Sequence, residues 1–140
     1  MIRRHVLPAI ALFAGLTVGA CAAPAASEPT LEGRDWTAIQ LNGKPIRLIE
    51  NQLPPSLTFD AASGRVTGST GCNSLSGSYR IQDDTIAIEK VATTRRACMN
   101  GMDTEQPFLA ALNQARQWKI AGGLLTLSDG AGQALAVLKP

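Results

Sequence analysis

Apolar and polar residues alternate along most of this chain in short runs, and each run stops at a turn signal. Ile86 and Ile88 alternate with Thr85, Ala87 and Glu89, the pattern of a strand that lays one face on a core. Trp36 to Leu41 predicts a strand ended by Asn42-Gly43, the strongest two-residue hairpin signal. Pro45 confines the returning segment to an edge or a turn. Leu57-Thr58-Phe59 and Arg65-Val66-Thr67 flank Ala61 to Gly64 as a hairpin, and Ser78 to Gln82 pairs with Thr85 to Glu89 across Asp83-Asp84. The period changes once. Phe108, Leu109, Leu112 and Ala115 recur at helical spacing, with Asp103 or Thr104 as cap and Pro107 tolerable only near the first turn. Trp118 to Ala121, Leu124 to Leu127 and Ala134 to Leu138 then form a meander through the Gly122-Gly123 and Asp129 to Gly132 turns. The expected fold is mainly β (α+β), about eight short antiparallel strands curled into a small sheet or barrel with one helix packed across it, because bare edges must close or be covered.

The N-terminus follows a different rule. Arg3 and Arg4 precede an almost wholly apolar stretch from Val6 to Gly19, too short to span the roughly 30 Å hydrocarbon core of a bilayer. Those are the proportions of an export signal over residues 1–20. Val18-Gly19-Ala20-Cys21 resembles the lipobox of bacterial lipoprotein precursors, in which Cys21 would receive the lipid and become the new N-terminus. An incidental cysteine near an ordinary cleavage site is the competing reading. Residues 21–30 are small, polar and proline-containing, as a flexible tether is, and a single domain occupies 31–140.

Removal of the signal changes the chemistry open to the chain. The full sequence has 13 Lys+Arg and 11 Asp+Glu, and the signal takes two arginines and no acid, which leaves the two signs equal. A nucleic-acid surface needs clustered cations, so no nucleic-acid partner is expected. The only histidine, His5, leaves too, and with it histidine bases and histidine metal sites. Cys72 and Cys98 remain as an even pair in an oxidising compartment, where they are expected to bridge. Closing that loop of about 26 residues is worth about 3.5 kcal/mol by chain entropy. Two buried thiols or a redox pair are the alternatives, the latter without C-x-x-C spacing.

Gly68-Ser69-Thr70-Gly71-Cys72-Asn73 is the most distinctive segment of the domain, its glycines and asparagine suggesting positive φ and a sharp exit from a strand. It lacks the Gly-Lys-Ser/Thr of a phosphate loop. Here the chain resembles the META/HslJ family. Leu31-Glu32-Gly33 with Trp36 resembles its opening pattern, and Leu41-Asn42-Gly43-Lys44-Pro45 its hairpin. Leu57 and Phe59, then Val66, Gly68, Gly71, Cys72 and Asn73, then Ser76-Gly77 and Tyr79 resemble its central signature. Thr94 to Cys98 resembles its T-x-x-A-C segment, and Glu105 with Phe108 and Leu112 the helix behind it. Arg96 departs from the pattern, standing where methionine is more usual. The resemblance implies a β-rich, barrel-like domain of envelope lipoproteins, linked to heat or envelope stress and in some members to novobiocin tolerance. It carries over no catalytic residue and no cofactor.

The motif residues Gly68, Gly71, Cys72, Asn73, Trp36 and Tyr79 therefore read as structural, as do the core aromatics Phe59 and Trp118. Asp83-Asp84 reads as a solvated turn rather than a metal site. Arg95-Arg96 reads first as an exposed loop pair, with contact to anionic headgroups or an acidic partner as the alternative. The first functional reading is a non-catalytic, membrane-tethered binding or stress-protective module with an unknown envelope partner. A carrier of an apolar ligand or acyl chain inside the barrel is second. An enzyme using Asp35, Asp60, Asp103 or Glu105 is third, since nothing in sequence pairs these acids. Ala22 rather than Asp follows Cys21, which by resemblance to sorting signals points to the periplasmic face of the outer membrane rather than the inner membrane.

Overall fold

In the computed structural model the described residues are 30–99 and 102–140. The signal 1–20, Cys21 and all of the tether except Thr30 lie outside them. The chain forms β1 (Asp35–Leu41), β2 (Lys44–Pro45), β3 (Ser56–Asp60), β4 (Arg65–Ser69), β5 (Ser74–Gln82) and β6 (Thr85–Thr93). Helix α1 (Met102–Gln114) follows, then β7 (Gln117–Ala121), β8 (Leu124–Ser128) and β9 (Ala134–Lys139).

All neighbours in the sheet are antiparallel, in the order β2-β1-β3-β4-β5-β6-β7-β8-β9, and β9 also pairs with β1. One edge of β1 carries β9 from Thr37 to Leu41, while the other is shared by β3 at Asp35–Thr37 and β2 at Gln40–Leu41. The sheet thus curls onto itself without making a regular barrel. The seam between β6 and β7 has a single register pair, Thr85 with Gln117, and is completed by Ile86 N–H to Arg116 C=O and Trp118 N–H to Asp84 C=O.

Turn chemistry explains the hairpins. Asn42 and Gly43 have φ of 48° and 76°, the two positive values that a type I′ turn needs. Where sequence periodicity starts β5 at Ser78 and stops β6 at Glu89, the strands in fact run from Ser74 and to Thr93. The register shifts between Ser76 and Ser78, with Lys90 at φ 53° on the facing strand, and this bulge hides the continuation. The helix begins at Met102, so Asp103 and Thr104 sit inside its first turn rather than at its cap.

The core takes one face of nearly every strand. Trp36, Phe59, Phe108 and the leucines at 57, 112, 125, 127 and 138 are fully buried and fill the space that the sheet encloses. Phe108, Ala111 and Leu112 point the helix stripe into that space, where α1 touches β1, β6, β8 and β9. Tyr79 meets Phe59 edge-on at 5.0 Å, and Trp36 Nε1–H donates to Leu31 C=O at 2.7 Å. Trp118 differs from the sequence expectation: it is half-buried on the flank of the core, its indole N–H donating to Asp83 C=O at 3.0 Å. Every buried apolar side chain of the described residues falls between Leu31 and Leu138, so the domain carries its own core.

Candidate functional site

Antiparallel registry gives the sheet two ends. Thr30 enters beside the β3–β4 turn, sharing a groove with Thr58 to Ala62. The end of β1, the start of β3, the end of β4, the start of β5 and the end of β6 gather at the opposite end, and the signature segment lies there.

Residues 70–73 close a tight corner. Thr70 N–H donates to Asn73 C=O at 2.8 Å, and Asn73 N–H donates back to Thr70 Oγ1 at 2.9 Å. Gly71, at φ +94°, passes so near the β2–β3 loop that a Cβ there would lie 2.7 Å from the Leu53 carbonyl oxygen. Gly68 serves a different need: its φ is ordinary for a strand, but a Cβ would strike Ser56 C=O on β3. Asn73 is not among the positive-φ residues, which corrects the expectation of a backbone role. Its work is done by the side chain.

That side chain joins three segments. Asn73 Oδ1 accepts from Arg96 N–H at 2.7 Å and from Thr94 Oγ1–H at 2.9 Å, which holds the loop after β6. Asn73 Nδ2 donates to Glu105 Oε2 at 2.8 Å, and Thr70 Oγ1–H donates to the same oxygen at 2.5 Å. Glu105 is 6% exposed, and its carboxylate stands in the first turn of α1, where the helix dipole favours negative charge. Cys72 and Cys98 are joined by a disulfide with Cα atoms 5.9 Å apart, tying the same corner to the same loop. Arg96 enters this clamp through its backbone only, so its side chain and that of Arg95 are left exposed.

The acids that could support acid–base chemistry are not brought to one place. Asp35 accepts from Thr58 Oγ1 at 2.5 Å on the sheet surface. Asp60 accepts from Ser63 Oγ and Ala62 N–H, and these bonds hold its carboxyl below the usual range. Both lie at the Thr30 end, whereas Asp103 and Glu105 start the helix at the other. Among the described residues no three of His, Cys, Asp and Glu converge as metal ligands. Tyr79 closes the N-terminal segment: its hydroxyl donates to Glu32 Oε1 at 2.5 Å, and burial, reinforced by that carboxylate, pushes its phenol well above the ordinary value.

Sequence reasoning placed Glu105 on the helix but not in this cluster. The signal was present, because Glu105 shares the i, i+3, i+7 stripe with Phe108 and Leu112, where a solvated acid has no business. Thr70, fully buried between Gly68 of β4 and Gly71 of the corner, gave no comparable sign.

These features define a small curled β domain with one cross-packed helix and a clamped corner at the end remote from its N-terminal entry. The META domain pattern matches residues 29–140, and the chain belongs to that family. The fold is similar to a protein from Burkholderia xenovorans solved by NMR, at 24% identity over 76% of this chain and 81% of that one, with a TM-score of 0.58. It is similar to a DUF4847 family protein from Bacteroides vulgatus, at 18% identity, covering 75% and 90% of the two chains, TM-score 0.56. A further NMR structure matches at 25% identity over 74% and 86%, TM-score 0.55. No curated protein matches the chain. The META domain family is not a known enzyme family.

Proposed function

We propose that the chain is a non-catalytic envelope lipoprotein, anchored by lipid on Cys21 at the periplasmic face of the outer membrane, whose domain binds or protects under stress. One observation carries the reading: an apolar export stretch, small residues and Cys21 follow one another in the order a lipobox requires. The clamp supports it. Glu105 Oε2, Asn73 and Thr70 are bonded to each other and to the loop, and the cysteines are paired, which supports a corner that holds shape rather than a reacting group. The stress role, protection against heat or novobiocin, comes from the family likeness. Acyl carriage inside the sheet is disfavoured, because aromatic and leucine side chains fill that space.

Replacing Cys21 by serine tests the anchor. Radiolabelled palmitate should no longer enter the chain, and the product should stay unprocessed or become soluble. Normal processing and membrane retention of the variant would overturn the reading. For the stress role, deletion should lower survival under heat or novobiocin; unchanged survival removes that part alone.

A further inference from the structure

Five of the seven large apolar side chains that stand exposed among the described residues gather at the signature end. Leu48 (45%), Ile49 (54%) and Leu53 (69%) belong to the β2–β3 loop, and Met99 (101%) and Met102 (46%) flank the start of α1. Their segments adjoin. Leu53 C=O lies against Gly71, which is also close to Thr104 Oγ1, and Met99 follows the cysteine bonded to Cys72. Lys44, Ile46 and Arg47 share a groove with Asp103, Thr104 and Pro107, which sets the hairpin beside the helix start.

The same end is cationic. Lys44, Arg47, Arg95 and Arg96 are exposed there against the exposed acids Glu50 and Asp103, although the chain after the signal is neutral as a whole. Leu48, Ile49, Leu53 and Met99 stand on loops, and Met102 opens α1. Their backbone is held: Gln52 N–H to Ile49 C=O closes a turn, and the disulfide and Asn73 hold the loop before Met99. The tips therefore stay outward.

We infer that this end is a lipid-contact surface, in which the apolar tips enter the interfacial zone of a bilayer while Arg47, Arg95 and Arg96 pair with anionic phospholipid headgroups. Apolar tips ringed by cations complement a surface that is apolar below and negative above. Thr30, the first of the described residues, lies at the opposite end of the sheet.

The test uses the oxidised domain from Pro29 to Pro140, which contains every buried apolar side chain of the described residues and lacks Cys21, so its outcome is independent of the lipoprotein reading. Vesicles of phosphatidylcholine alone and of an equimolar mixture with phosphatidylglycerol are sedimented with it. The domain should sediment with the mixed vesicles, less so in high salt, and little with phosphatidylcholine alone. Arg95→Ala and Arg96→Ala should each weaken partitioning about fivefold. Leu53→Glu and Met99→Glu should each weaken it roughly tenfold or more. Leu124→Glu and Lys139→Ala, at the Thr30 end, should leave it unchanged, and the circular dichroism of all six variants should match that of the parent domain. Absence of vesicle binding, or equal loss in the distal variants, overturns the inference. If the tip variants instead lose a cross-link to a protein in cells while vesicles are ignored, the surface is a protein-docking face and the lipid assignment is wrong.

Discussion

Replacing Glu105 by alanine removes the one oxygen that receives both Thr70 Oγ1–H and Asn73 Nδ2–H. Thr70 is fully buried and Asn73 nearly so, and water does not reach either freely. A hydrogen bond to a charged acceptor contributes about 1.5–3 kcal/mol, and a buried donor left unpaired costs about 1–3 kcal/mol. Asn73 Nδ2 keeps the Arg96 carbonyl at 3.4 Å as a poor substitute, and Thr70 Oγ1 keeps Asn73 C=O at 3.3 Å, so the two losses are partial. The expected destabilisation is about 3–5 kcal/mol, a large part of the 5–15 kcal/mol typical of a domain. For about 110 folded residues each kcal/mol lowers Tm by about 4 °C, which gives a fall of about 12–20 °C. Glu105→Gln keeps an acceptor in place and should lose less than half of this. Urea unfolding of the oxidised domain, followed by tryptophan fluorescence, measures both, with the slope m unchanged if only the native state is affected. Asn73→Ala and the double variant complete a cycle, in which the combined loss should fall short of the sum by at least about 1 kcal/mol. An alanine variant within about 1 kcal/mol of the parent, or strict additivity with Asn73→Ala, would refute the clamp.

Two further perturbations probe other parts of the fold. Tyr79 is the only tyrosine, so absorbance near 295 nm reports it alone. Its folded pKa is raised above the unfolded value of about 10, chiefly by burial. The stability this reflects is complete below pH about 10 and declines as pH rises further, because the unfolded chain then releases a proton that the folded one keeps. Tyrosinate should therefore appear only with loss of structure, and ordinary titration in folded protein would contradict the Glu32–Tyr79 contact. Gly71→Ala should destabilise more than Gly43→Ala: both have positive φ, but only at 71 does the new Cβ meet a backbone carbonyl, 2.7 Å away, while 43 faces open space. Equal Tm losses in differential scanning calorimetry would show that the Leu53 approach is relaxed at no cost.

The local elements of this fold were legible because their causes are local. Asn42-Gly43 and Gly122-Gly123 name their turns through residues that accept positive φ, and the Ile86–Ile88 alternation names a buried face. The β5–β6 extension was not legible, since a bulge breaks the two-residue period on which such reading depends. The helix start was misplaced by one turn at most, as capping residues also occur within first turns. Of the site, Gly68, Gly71, Cys72 and Asn73 stood out by composition, but the partner that gives Asn73 its role, Glu105, is 32 positions away. Only the three-dimensional curl of the sheet brings the helix start over the corner.

The clamp and the apolar tips are physically linked through the loops they share. Exposed leucine and methionine side chains on a free loop would fold back onto the nearest apolar surface, because burying one gains about 1.5–3 kcal/mol. Such collapse requires the backbone to move. Here it cannot move cheaply: Arg96 is fixed to Asn73, Cys98 to Cys72, and the Leu53 carbonyl packs against Gly71. The buried Glu105 fastens the corner that carries these fixed points, through Thr70 and Asn73, to the helix. Cutting the disulfide and removing Glu105 should therefore do more than lower stability. Each should let Met99 and its neighbours retract, reducing vesicle partitioning even where the sheet remains folded. A clamp variant that is folded, destabilised and still binds vesicles at the parent level would separate the two features, leaving the corner as scaffold alone.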